Sequence, residues 1–508
     1  MKRTVKAVYT VTLLWALLGL ASGIGAAAQN PVQSINEDVA VSFGFAGEVV
    51  ANAWNPLRVT LRDTQSAELL LELDVGSLRR GPVSFRYTAP LTGGRGLYTF
   101  QDDVYLPAWR SFSWLVRTSD GIIASGTVPR YFADPKPLQL VLGPEAEAGK
   151  AFFAQGDRVV EITAADLPER AAAYSGVESV LLLPQTVPPP PAALVAAATT
   201  GSAVILGGEP GRAYEDVLAL APAGSQRLGA GTLNRIPELN RNSVQRTLRT
   251  HQRLAPDTLL TALTGGALTE APTGQSATWL TLRVGAYAFV LLLLLRFGGG
   301  PGVLAALLLA GVLTLAAWRT RPAEPLLLRD RSVVLSGGAL GLHTDLHYLF
   351  SFPGGAADVL YAAHPLSVAE IAEYQAGPEN LTVNLPAYGS TLLAGKPRLE
   401  PAVLRWNGER VVNESENPLT DVFVTWGAQP AGLGRTDTGS AIGTVSRSGQ
   451  QNGIGPGEAL TVAAGSLTLP EFYADLAPLL PPGSVVARNG GTVYVLLPRA
   501  PAESDATR

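Results

Sequence analysis

The chain reads as a multi-domain protein: an N-terminal β-sandwich, an α/β parallel-sheet domain, a two-helix transmembrane hairpin and a C-terminal mainly β domain. Three observations predict this. Short alternating runs fill residues 36–132. Continuous apolar strands separated by helical stretches fill residues 136–275. Two long apolar runs, Trp279 to Leu295 and Gly302 to Trp318, then divide the chain, with Arg296 to Pro301 between them.

The chain has 508 residues, 47% of them hydrophobic, enough for two to four domains with large cores. Its formal charge is −4 and it has no long basic run, which argues against nucleic acid as a partner. Arginine far outnumbers lysine, which we read as genome bias. Cysteine is absent, so disulfides, thiolate nucleophiles and cysteine-held metals are excluded.

Residues 1–28 have the three parts of a secretory signal. Lys2, Arg3 and Lys6 are basic, Val8 to Ile24 is apolar, and Ala26-Ala27-Ala28 suits cleavage after Ala28. The expectation is an exported protein.

Residues 29–135 are expected to form the sandwich. Val39–Phe43, Leu57 to Leu61, Leu69 to Val75, Val83 to Tyr87, Ser111 to Arg117 and Ile122 to Val128 alternate in part and are punctuated by Gly, Pro, Asp and Asn. Trp54-Asn-Pro-Leu-Arg-Val-Thr-Leu61 is the most distinctive piece. Trp54, Trp109 and Trp114 suit either a carbohydrate platform or anchors of the sandwich core, and the core reading is preferred. Asp102-Asp103 is an acidic pair placed in a turn, with no second acid that the sequence sets beside it.

In residues 136–275, Leu138–Leu142, Arg158–Ile162, Ser179 to Leu183 and Ala203 to Leu206 read as buried strands, with helices at Leu167 to Tyr174 and Ala192 to Thr199. Strands apolar on both faces suggest a parallel sheet covered by helices. Ligands of such sheets bind beyond the carboxyl ends of the strands, which here carry Glu145, Gln185 and Glu209. Solvated turn carboxylates are the plainer reading.

The two apolar runs, residues 279–295 and 302–318, are each near the lower length limit for a spanning helix. Trp279 and Trp318 sit at their outer ends, as interfacial aromatics do. The expected product is a multi-pass cell-membrane protein with large extracytoplasmic domains and the lipid bilayer as a partner. Arg319, Arg321, Arg329 and Arg331 run against the positive-inside tendency of that arrangement.

Residues 326–498 read as mainly β, and 499–508 as a disordered tail. Leu342 to Phe352 alternates. Asn413 to Trp426 feeds a strand from a polar turn. Leu469 to Leu480 reads as helical, Gly427 to Gly457 as a mobile loop, and Ser484 to Leu497 as a hairpin turning at Asn489-Gly490-Gly491. On a strand, His343, Asp345 and His347 would share one face, and with His364 could hold zinc. A half-exposed strand shows the same pattern without a metal.

The order of parts, with its W-x-P-L-x-V-x-L element and Tyr174-Ser-Gly-Val-Glu-Ser-Val-Leu-Leu-Leu-Pro184, resembles bacterial envelope proteins carrying a domain like class I glutamine amidotransferases. Some of those are encoded near MoxR-type ATPases, which implies assembly or chaperone-like roles. The enzymes of that family use a Cys–His–Glu triad, and this chain has no cysteine. The resemblance therefore implies a fold without the catalysis. No phosphate-cradling loop, nucleophile elbow or zinc-protease motif is present either. The expectation is a non-enzymatic, membrane-anchored envelope scaffold that contacts other envelope or membrane proteins, with no cofactor. The alternatives are a ligand sensor using the α/β cleft and a metal-dependent hydrolase.

Overall fold

The structure is a computed structural model. It describes residues within 38–128, 136–262, 288–319, 326–425, 442–461 and 476–498, with interruptions in each, the longest at 209–223. The expected signal segment, Trp109, Glu145, Gln185, Glu209, most of the first apolar run, most of Leu469 to Leu480 and the final tail lie outside them.

The described residues form five sheets. Val39–Phe43, Ala53–Arg62 and Leu97–Leu106 make a three-stranded antiparallel sheet. The strand Ala53–Arg62 alternates buried and half-exposed positions, as a sheet with one face on a core requires. Facing it is a seven-stranded sheet. Its order is Gly355–Val359, Leu381–Leu385, Glu373–Ala376, Gly81–Leu91, Ala67–Ser77, Phe112–Thr118 and Gly121–Val128. Three of its strands come from beyond the central apolar runs. Glu373–Ala376 pairs in parallel with Gly81–Leu91, Glu373 opposite Ser84. One core fills the space between, with Phe43, Val59, Leu71 and Trp114 beside Leu381 and Val383. Gly126 makes room for Trp114: a Cβ there would stand 2.6 Å from the indole.

The six-stranded sheet runs in the order Ser225–Leu228, Gly231–Ile236, Ala203–Gly207, Val177–Leu182, Leu138–Leu142 and Arg158–Ile162. Its inner pairings are parallel, and Ser225–Leu228 closes it antiparallel. The expected α/β amidotransferase-like domain is nonetheless not supported. The chain is mostly strand, and the described helices of this stretch are few: Pro191–Thr200, Arg241–Thr250 and short turns. The strands are apolar on both faces because both faces are covered. Pro191–Thr200 packs on one, joined by Phe45, Val50 and Ala53 of the N-terminal region and by Leu399 of the tail, and Phe153 and Val244 pack on the other.

The transmembrane hairpin is also corrected. No helix among the described residues is long and apolar enough to cross a membrane. Gly299–Arg319 is helical, but it starts on Gly299-Gly300-Pro301-Gly302 and ends on Trp318-Arg319. The apolar part from Val303 to Ala317 falls short of the ~20 residues of a span. Nor is it a core helix, because Leu304, Leu308 and Val312 are exposed. The multi-pass membrane location is therefore unsupported. A β-barrel crossing is a separate matter on which helices are silent.

In the tail, Leu326–Ser336 and Leu340–Phe350 are the long central strands of a ten-stranded sheet. Arg398–Pro401 pairs with the start of Leu340–Phe350. Val485–Asn489 and Thr492–Leu496 form a hairpin turning through Gly490 at φ 57°. A small sheet of Leu404–Asn407, Arg410–Asn413 and Ala459–Thr461 completes the set. Strands on either side of the central apolar runs thus share one sheet.

Candidate functional site

Three segments meet at the acidic pair. Asp102 and Asp103 lie within the strand Leu97–Leu106, not in a turn, and both are buried. Adjacent acids inside a strand need cations from outside it. Arg170 supplies one, with Nε and Nη2 donating to the two oxygens of Asp103 at 3.1 Å each. Lys396, from the tail, supplies the other. Its Nζ lies 2.6 Å from Asp102 Oδ1 and 3.4 Å from Asp103 Oδ2. The Tyr87 hydroxyl also donates to Asp102. Burial, then the nearby Asp102 carboxylate, pushes that phenol far above its ordinary range. Lys396 also stands 5.7 Å over the Trp54 ring.

Trp54 ties the same junction by its backbone. Its N–H donates to Ser175 Oγ at 2.8 Å. Its ring meets Tyr105 and His364 edge-on, and His364 stacks on Tyr105 at 4.0 Å. His364 Nε2 is 3.0 Å from Asp257. Trp54 and Trp114 are both buried, so neither offers a face to a sugar.

A cleft of about 550 Å³ opens beside the junction. Asp103, Glu169, Arg170, Asp345, Glu379 and Lys396 are among its walls, with Arg398 and Leu399. Arg398 donates to Asp345 and Glu400, at 2.9 Å each. The three cations of the cleft are thus all paired with acids. Glu169 and Glu379 are exposed, and neither has an ion-pair partner among the described residues.

The residues singled out in the sequence fall elsewhere or differently. His343 and Asp345 meet, with Nε2 to Oδ1 at 2.9 Å, but the other ring nitrogen faces Glu400 at 2.7 Å. His347 lies four residues along the strand, a rise of about 13 Å. His364 belongs to the Trp54 cluster. No group of three or more possible ligands able to hold a metal is found among the described residues. The strand ends of the parallel sheet are packed with apolar groups where they are described. Leu183 fills the space over Gly143, and Leu239 the space over Gly207. Sequence reasoning missed Arg170, Lys396, Arg398 and Glu400. The available signal was Asp102-Asp103 itself. Two successive acids in a run flanked by Leu97, Tyr98, Val104 and Leu106 cannot both face water if the run is a strand.

No family model matches the chain, and a search of curated proteins finds no match. Among solved structures it is similar, at 11% identity and a TM-score of 0.13, to a crystal structure from Akkermansia muciniphila. The match covers 25% of this chain and 84% of that one, and at that score carries no argument about fold or function.

Proposed function

We propose that the chain is a non-catalytic binding scaffold that assembles with other proteins, and that the charged cleft is its contact surface. The observation that carries this reading is how the charges are distributed. Arg170, Lys396 and Arg398 face inward onto Asp103, Asp102 and Asp345. The charge left for a partner is that of Glu169 and Glu379. A cleft rimmed by free carboxylates suits a segment bearing Lys or Arg.

The test is fluorescence anisotropy with short lysine-rich, neutral and acidic peptides. The lysine-rich peptide should bind, and more weakly at high salt. The double variant Glu169→Gln/Glu379→Gln should weaken binding about tenfold, since an exposed ion pair contributes roughly 0.2–1 kcal/mol. Equal binding of the acidic peptide would count against the proposal. So would a hydrolase or transferase activity that one substitution in the cleft abolishes.

A second reading has its own support. The cleft volume of about 550 Å³ falls within the roughly 300–1,000 Å³ of small-molecule sites. A small polar solute that raises the melting temperature saturably, while peptides do not, would favour a solute-binding role.

A further inference from the structure

One wall of the cleft is held by very little backbone. The strand Arg398–Pro401 has four residues, stands between Pro397 and Ala402, and ends in a proline that donates no hydrogen bond. Among the described residues it pairs with Leu340 to His343. Leu399 packs on two apolar cores, and the charged side chains do the rest. Arg398 reaches Asp345 and Glu400 at 2.9 Å each. Glu400 reaches His343 Nδ1 at 2.7 Å, and His343 Nε2 reaches Asp345 at 2.9 Å. Ser332 Oγ donates to Asp345 at 2.7 Å from the strand on the other side. The Tyr494 phenol also feels the Glu400 charge.

Both nitrogens of the His343 ring therefore face carboxylate oxygens, which favours a proton on each, and Arg398 Nη2 also stands 3.3 Å from Nδ1 and 3.5 Å from Nε2, a donor for the ring in its neutral form. With both protons in place the cluster is balanced: imidazolium and guanidinium against two carboxylates. Losing one ring proton breaks one imidazolium–carboxylate bond, leaves the lone pair to Arg398 Nη2 at the expense of that group's hold on the carboxylates, and adds net negative charge.

We propose that this cluster is a proton-operated latch, in which imidazolium His343 clamps Arg398–Pro401 against the long strand and its deprotonation loosens that wall of the cleft. The latch rests on the cleft being the contact surface, but it can be tested without any partner. Burial alone would lower the His343 pKa, and the bonds to Asp345 and Glu400 outweigh it, so the group titrates above its ordinary value. A raised folded-state value gives stabilisation that is complete below the unfolded value and is lost as pH rises through the folded one. The same partners hold Asp345 and Glu400 below the usual carboxylate range, so neither interferes in that window.

The chain lacks cysteine, so Glu379→Cys allows one environment-sensitive dye to be placed in the cleft. Without added ligand, its emission between pH 5.5 and 9 should show a step centred above about 6.5. Adding His343→Gln should abolish the step. Adding Glu400→Gln, which keeps the ring, should move the midpoint down. Hydrogen exchange of residues 396–401, corrected for the intrinsic pH dependence, should accelerate across the same step. A step that survives His343→Gln, or its absence while the His343 ring titrates by proton NMR, would overturn the latch. The binding reading stands or falls separately, on the Glu169 and Glu379 variants.

Discussion

Asp103 has no exposed side-chain surface and faces two cations from two different segments. Removing its charge takes the carboxylate from Arg170, whose side chain is one-third exposed in the cleft wall, while Lys396 keeps Asp102. Asp103→Asn should cost about 1–3 kcal/mol, read as a lower urea midpoint at unchanged slope. His251 makes a second residue-scale case. Its Nε2–H donates to Gly201 O at 2.9 Å, and Thr232 Oγ1 lies 3.3 Å from Nδ1. Burial is the main cause of a pKa pushed down to about 4. A depressed value means stability that is full above about pH 6.5 and is lost as pH falls toward 4, amounting to about 3 kcal/mol. Urea titrations at pH 7.5 and 4.5 should show that loss, and His251→Gln should flatten it. At this scale the sequence was legible only in part. Trp54 stood out from its neighbours, Asn55 and Pro56. Arg170 and Lys396 did not, because a cation's role here depends on acids that lie 67 and 294 residues away.

At the scale of elements, period-2 runs such as Val39–Phe43 and the hairpin around Gly490 could be read directly, because their pairing partners are local or their turn residues are diagnostic. Leu97–Leu106 could not, since Gln101, Asp102 and Asp103 interrupt its apolar pattern. Leu381–Leu385 could be read as a strand, but not as part of the N-terminal core. That membership is testable. Leu381 has no exposed surface and belongs to the same core as Leu71 and Phe85. Leu381→Ala should cost roughly 2–5 kcal/mol. It should also raise hydrogen exchange in residues 81–91, its neighbours once removed in the sheet. Unchanged exchange there would mean that the tail strands do not support the sandwich.

For the whole molecule, the central apolar runs lie between strands that pair with one another, Gly81–Leu91 before them and Glu373–Ala376 after. Sequence shows where a chain changes character, but long-range pairing depends on register between distant strands, and no local pattern records that. A fragment ending at residue 278 would lack Glu373–Ala376 and leave Gly81–Leu91 as an open edge. Such a fragment should aggregate when expressed alone. Co-expression with residues 326–498 should restore solubility, which size-exclusion chromatography would show.

The parallel pairing of Ser84 with Glu373 also sets a clock on biogenesis. Roughly 290 residues separate the two partners. At about 5–20 residues per second of synthesis, the first strand waits on the order of 15–60 s before its neighbour exists. During that interval the half-built sheet is a sticky template for any other extended chain. Folding of this protein is therefore expected to be slow, late and dependent on a holding factor, whatever its finished form binds.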